Sequence, residues 1–343
     1  MRHVDKRIIG VLVVAALLFG WFLYGLNWAE LTKALWGVRP GWLLAACVLI
    51  LGDYLFRAIR WMFIVRHVDR NVSFSVLWRA TAVGSALNTF LPLRGGDLVR
   101  PALVARARQV PFTTLLSTTV VERLLDAFGM VGALLLVIWL LPPDMVEGSA
   151  AMASLRQGGL ITGVVAVLGL GAVLWLATRQ ARATLHRLLR PVPRRARMRV
   201  MRTYLQLAHG LEAAGSPLRL LPALAATIAL WGFTVAAIFA AFRALGLEMG
   251  FPMAVFVAVA LTASVSVPQA PGYLGLFQVI MEQAARLWGA PEGIAQAGSF
   301  VIWFVYIGPI TLIGMAYAAA EGRGFFRFRK ELLEPEEEEE AGP

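Results

Sequence analysis

The sequence predicts an all-α polytopic membrane protein, with about six full spans and two re-entrant helical hairpins arranged as an inverted repeat. Three observations carry this. The 343 residues are 59% apolar and 15% charged, with a mean hydropathy of +0.69; a soluble domain carries about 25% charged residues. The net charge is +11 despite an acidic run from Glu336 to Glu340, so the basic residues lie in loops between apolar stretches. Finally, two apolar stretches are broken by proline and glycine at corresponding places in the chain.

Taken in order, residues 8–26 follow Arg2, Lys6 and Arg7 and are long enough for a first span. No small-residue cleavage site follows, and Trp21, Tyr24 and Trp28 suit an interface, so an uncleaved helix with a cytoplasmic N-terminus is expected. Residues 41–65 form the second span. Asp53, Arg57 and Arg60 share one face of it at i, i+4 and i+7. Either that face meets protein, or its arginines snorkel to headgroups. Residues 73–91 are apolar but softened by Thr81, Gly84, Ser85 and Asn88, and they stop at Pro92; Asp97 is expected to cap a short helix running to Arg108. Arg66 and Arg70 precede this pair and Arg106 and Arg108 follow it. That makes it a hairpin entering and leaving on the cytoplasmic side.

Residues 112–141 exceed one span. Thr118, Glu122 and Asp126 make a polar stripe, with Arg123 placed to pair with Asp126. An internal ion pair bracing the helix end is the plainer account of the same residues. Residues 142–157 are poor in Lys and Arg and suit the outer face; 158–177 cross back. The linker 179–215 then gathers nine arginines between Arg179 and Arg202, and must be cytoplasmic. Its apolar residues fall at helical spacing on either side of Pro191-Val192-Pro193, predicting two amphipathic surface helices whose arginines suit anionic headgroups. Residues 216–242 cross outward. Residues 251–267 and 273–288 are too short to span and flank Pro268–Gly275, giving a second hairpin entered from outside. Residues 298–320 are the last span, and Arg323, Arg327, Arg329 and Lys330 return the C-terminus to the cytoplasm. The whole of 1–330 is one membrane domain, with halves 8–141 and 158–320; 331–343 is an acidic, disordered tail.

The first break needs a reason. Each ionisable group at membrane depth costs about 2.5–3.5 kcal/mol on insertion scales, and irregular backbone survives there only against protein or a watery cavity. Half-helix N-termini at Asp97 and after Pro271-Gly272 would aim positive dipoles at an anionic group near the midplane, helped by Arg94 and Arg100. Glu122 and Asp126 would balance the arginines. The competing account is that both breaks are kinks in an ordinary bundle. The histidines, His3, His67, His186 and His209, lack metal-ligand spacing; Cys47 is alone; and no Walker loop, GxSxG or HExxH occurs. Loop arginines between apolar spans are a topology signal, not a nucleic-acid footprint.

Asn88, Leu91-Pro92, Arg94-Gly-Gly-Asp97 and Arg100, then Glu122-Arg123 and Asp126, then Pro268, Pro271-Gly272 and Leu274-Gly275, resemble the lysylphosphatidylglycerol synthase transmembrane-region family. This is the flippase-like domain of the multiple peptide resistance factor. The resemblance implies an integral protein of the bacterial plasma membrane that moves lipids between leaflets, in some members aminoacylated phosphatidylglycerol. No polar stretch is long enough for the soluble synthase domain, so synthase activity, and a cofactor, are not expected. The family pattern reads Pro-Gly-Gly-Leu-Gly…Glu; here Tyr273 replaces the second glycine and Gln278 stands at the acid.

The substrate-contacting set expected is therefore Arg57, Arg60, Asn88, Arg94, Asp97, Arg100, Glu122, Arg123, Asp126, Pro271, Gly272, Gly275 and Gln278. The substrate expected is an anionic or aminoacylated phospholipid, or another lipid with a phosphate headgroup. A homo-oligomer or a partner synthase remains open. Two rival readings stand beside the transporter. One is a membrane enzyme using Glu122, Asp126 or Asp97 as base or metal ligand on a lipid-linked acceptor. The other is a scaffold docked through the arginine-rich linker.

Overall fold

Apolar runs cut by proline and glycine become helices cut at those residues. The computed structural model describes residues 28–91, 94–140, 178–191, 193–211, 217–248, 250–266 and 271–320, with Tyr24 and isolated helical positions between 157 and 176. Its elements are α1 (Trp28–Trp36), α2 (Pro40–Val65), α3 (Phe74–Phe90), α4 (Gly96–Arg108), α5 (Phe112–Leu140), α6 (Arg179–Leu188), α7 (Arg194–Leu211), α8 (Pro217–Ala244), α9 (Phe251–Ser266), a 3₁₀ turn Pro271–Tyr273, α10 (Leu276–Arg286) and α11 (Glu292–Ala320). Every described element is helical. The expected first span, the loop 142–157, most of the span 158–177, residues 267–270 and the C-terminal tail lie outside the described residues.

Among the described residues, α2, α5, α8 and α11 are long and apolar enough to cross a bilayer. The helices beside the breaks are shorter: 17 residues in α3, 13 in α4, 16 in α9 and 11 in α10. At 1.5 Å per residue, even 17 residues reach only about 26 Å, short of a hydrocarbon core of about 30 Å.

Element boundaries follow local chemistry. Pro40 opens α2, where a missing N–H costs nothing. α11 begins at Glu292 rather than at residue 298 as expected, because Pro291 sets the entry and Glu292 complements the positive end of the helix. Apolar character alone does not reveal that start. Trp28, expected with Trp21 and Tyr24 as an interface anchor, lies in the helix α1. The expected surface pair appears as α6 and α7, on either side of Pro191 and Pro193. The Thr178 hydroxyl caps α6 by accepting from the Ala181 N–H at 3.2 Å. α7 lies on α5, where Thr113 Oγ1 donates to Gln206 Oε1 at 2.5 Å.

The packing has a regular plan. α2 and α8 pair at the centre, with Phe56 and Phe233 stacked at 5.4 Å. α3 packs on α4 and on α11; α9 packs on α10 and on α5. α4 leans on α5, as α10 leans on α11. At one crossing the two arms of the first hairpin, α3 and α4, meet backbone against backbone. A Cβ at Gly96 would collide with the Gly84 carbonyl oxygen, and one at Gly84 would sit 2.8 Å from Arg100 Cβ. Small residues at a membrane helix crossing allow such backbone approach, and here they bring Arg100 inward.

Candidate functional site

Charges from α2, α4 and α5 meet in the interior. Arg60, 1% exposed, reaches Asp126 Oδ1 at 2.5 Å and Glu122 Oε1 at 3.5 Å. Arg100 binds the other oxygen of Glu122, which is fully buried, and lies 3.9 Å over the ring of Trp61. Trp61 donates in turn to Thr118 Oγ1 at 3.0 Å. A buried charge without partners would expel itself or titrate; here each carboxylate holds one or two guanidinium groups.

The network extends to both sides. Arg57 pairs with Asp53 at 2.7 Å, one helical turn apart, and Thr234 on α8 donates to the other Asp53 oxygen at 3.0 Å. Arg123 bridges Asp126 at 3.5 Å and Asp97 at 3.7 Å, while Arg94 lies 3.4 Å from Asp97. Five arginines (57, 60, 94, 100, 123) thus face four carboxylates (53, 97, 122, 126), leaving one net positive charge. Among the described residues, Nε of Arg60 and Nε of Arg100 have no hydrogen-bond partner.

These arginines line an open-sided cavity, together with Asn88, Asp97, Thr81 and the rings of Tyr54, Tyr273 and Tyr306. A second cavity adjoins it and shares Arg57, Arg94 and Arg123. Its far wall is softer, with Met130, Leu230 and Trp231. Each break contributes one residue in left-handed backbone to the first cavity, Arg94 at φ 57° and Tyr273 at φ 57°. Non-glycine residues rarely hold that conformation, which costs of order 1–3 kcal/mol and concentrates at functional sites.

Of the expected set, Arg57, Arg60, Asn88, Arg94, Asp97, Arg100 and Arg123 line the first cavity. Asp126 lines the second, and Glu122 sits behind both as the anchor of Arg60 and Arg100. The arginines of α2 do not snorkel: Arg60 is turned fully inward.

Three expectations are corrected. Asp97 does not cap α4. Gly95 holds that position, and Asn88 on α3 does the satisfying: its Oδ1 accepts the Asp97 N–H at 3.1 Å while its Nδ2 donates to Asp97 Oδ1 at 2.9 Å. The next N–H groups, of Leu98 and Val99, are taken by the Gly95 carbonyl. The start of α4 therefore has few donors left for a ligand, and guanidinium groups must supply them.

The second break also behaves differently from expectation. Gln278, fully buried, accepts the Gly275 N–H on its Oε1 at 2.7 Å, so its side chain closes α10 instead of facing the cavity. Lastly, the Gly272 carbonyl accepts from Trp303 Nε1 on α11 at 2.6 Å. Among the described residues it is Tyr273, not Gly272 or Gly275, that this segment presents to the cavity. The Pro271 side chain lies outside the described residues.

Sequence reasoning missed the three tyrosines and the threonines of α8. Thr227 and Thr234 meet Arg60 and Asp53 from helices far apart in the chain. Their one trace is a seven-residue spacing on α8, which marks a shared face. Among the described residues, no group of histidine, cysteine or carboxylate side chains is arranged to hold a metal ion.

The family model described as the lysylphosphatidylglycerol synthase transmembrane region matches residues 7–314. No curated protein matches the chain.

Proposed function

The chain belongs to the lysylphosphatidylglycerol synthase transmembrane-region family and is an integral membrane protein of a group tied to lipid modification or transport; on that premise we propose that it is a lipid transporter. It moves a lipid with an anionic phosphate headgroup between leaflets, and it does so without covalent chemistry. The observation that carries this reading is the interior cavity with five arginines against four carboxylates. A net positive, tyrosine-rimmed chamber inside a helix bundle costs solvation free energy, and a phosphate returns it through charge-assisted hydrogen bonds.

The packing plan supports an inverted repeat. The pairings α3–α4, α4–α5, α2–α3 and α3–α11 have counterparts in α9–α10, α10–α11, α8–α9 and α9–α5. Exchanging the two halves maps each pairing onto another, with α2–α8 on the axis. The short helices at the two breaks are then re-entrant hairpins from opposite leaflets, each delivering one left-handed residue to a shared chamber. Glu122 holds two arginines in place, and Asp97 and Asp126 compete with the ligand, which permits release. The site lies in the plasma membrane, with both termini on the cytoplasmic side.

The test is transport in proteoliposomes. Labelled phosphatidylglycerol crosses with wild type, and the rate falls at least about tenfold in Arg94→Gln and Arg123→Gln, the loss of one charge-assisted contact. Unchanged rates in both would remove the site, and with it the transporter. Metal-dependent product formation from a lipid-linked acceptor would favour the enzyme instead.

A further inference from the structure

A third cavity adjoins the second arginine cavity at Trp231. It is an open apolar groove between α5 and α8, lined also by Phe251 and Val255 of α9. Its floor is open. A Cβ at Gly132 or at Gly232 would meet nothing within 4 Å. Its rim points outward, with Ile228 68% exposed. An apolar groove on a membrane helix pair means little alone, since hydrocarbon covers it anyway.

Two side chains tie this one to the charged interior. Trp231 lines both the groove and the second arginine cavity. Its Nε1 packs where a side chain on Gly129 would be, so the indole lies in the gap between α5 and α8. Thr227 lines the groove and accepts from Arg60 at 3.5 Å. The path from hydrocarbon to guanidinium is therefore one side chain thick. An indole suits such a partition: its body is apolar and its N–H is polar.

We propose that the α5/α8 groove is an acyl-chain subsite and the lateral entry for the transported lipid, with Trp231 as the partition between chain and headgroup. This rests on the transporter reading. The occupant is one chain of a diacyl phospholipid whose phosphate lies among Arg57, Arg94 and Arg123. Annular lipid would touch the same rim but would not depend on those arginines. A diacyl lipid gains both contacts, whereas a soluble glycerophosphate gains only the charged one. The groove thus sets the preference for a membrane lipid over its free headgroup. Gly132 and Gly232 are specificity-determining because they leave room for methylenes.

The experiment uses the full chain in nanodiscs with two probes. One is phosphatidylglycerol carrying a diazirine in an acyl chain, with adducts mapped by mass spectrometry. The other is glycerol 3-phosphate, with binding measured calorimetrically. Adducts are expected on residues 128–136 and 224–239. They should fall roughly tenfold in Gly132→Leu and Gly232→Leu, because displacing two methylenes costs about that much. They should also fall in Arg94→Gln. Glycerol 3-phosphate binding should be unchanged in both glycine variants and weakened in Arg94→Gln; Gly132→Ala serves as the folding control.

If glycerol 3-phosphate binds as expected but the adducts are insensitive to Gly132→Leu, Gly232→Leu and Arg94→Gln, the groove holds annular lipid and the inference is overturned. If wild type binds neither probe, the transporter reading fails and takes the groove with it.

Discussion

Asn88 and Asp97 join the two arms of the first hairpin by a reciprocal pair of hydrogen bonds, at 2.9 and 3.1 Å. The pair does what a cap residue does elsewhere, but from the neighbouring helix. It also fixes the Asp97 carboxylate between Arg94 and Arg123. Asn88→Ala leaves the Asp97 N–H without its acceptor, and should lower stability by about 1–3 kcal/mol. Asn88→Asp should be worse, since it sets two carboxylates against each other. Thermal unfolding in detergent measures both; an Asn88→Asp protein as stable as wild type would refute the clasp.

Glu122 is the structural keystone of the network. Removing it alone, as Glu122→Leu, strands Arg100 and should cost about 3–5 kcal/mol. Removing Arg100 as well, in Glu122→Leu with Arg100→Met, should recover much of that, because Arg60 keeps Asp126. A double variant no more stable than the single-variant costs added together would mean the two residues act independently.

Gly96 has no room for a methyl group. The obstacle is the Gly84 carbonyl oxygen, a backbone atom that cannot swing aside as a side-chain end can. Gly96→Ala must therefore part α3 from α4 and move Arg100. The expected result is a loss of at least about 1–3 kcal/mol and slower transport. Wild-type stability and rate together would contradict the close crossing.

Outside the membrane, Asp69 in the α2–α3 loop accepts from Arg108 at the end of α4, at 2.6 Å. That hydrogen bond, with another from the Asn71 N–H, holds the Asp69 carboxyl below the usual carboxylate range. A depressed carboxyl stabilises the fold above its unfolded pKa of about 4 and ceases to do so as pH falls through the lower folded value. Melting temperatures of wild type and Asp69→Asn should differ by a constant amount above about pH 5 and converge at more acidic pH. A gap that widens on acidification would reverse the assignment.

Tyr273 occupies a backbone conformation suited to glycine. Tyr273→Gly relieves that constraint while withdrawing a ring from the cavity wall. Stability should change by no more than about 1–2 kcal/mol, as the two effects oppose. Transport of a bulkier aminoacylated lipid should rise relative to phosphatidylglycerol. An unaltered ratio would show that the ring does not shape the chamber.

Much of the fold is legible in the sequence because bilayer chemistry simplifies it. Apolar run length gives the described bounds of α2, α5 and α8 to within about two residues, and prolines 191 and 193 divide α6 from α7. Charges in apolar surroundings converge: Arg57, Arg60, Arg94, Arg100 and Arg123 all line one cavity. What escapes is mutual satisfaction. Nothing local shows that Asn88 would occupy the Asp97 N–H, or that Gln278 would turn back on Gly275, since both depend on one helix meeting another or itself. Tyr54 and Tyr306 look like ordinary apolar content until α2 and α11 bring their rings to 6.0 Å. Trp231 gives no signal, because its placement depends on the gap left by Gly129.

The most direct measurement is an experimental structure in nanodiscs of anionic lipid, read for the position of lipid phosphate. A phosphate is expected inside the bundle, within hydrogen-bonding distance of Arg94, Arg100 or Arg123 and against the Tyr273 ring. A chamber holding only water, with every phosphate at the two membrane surfaces, would contradict the transporter.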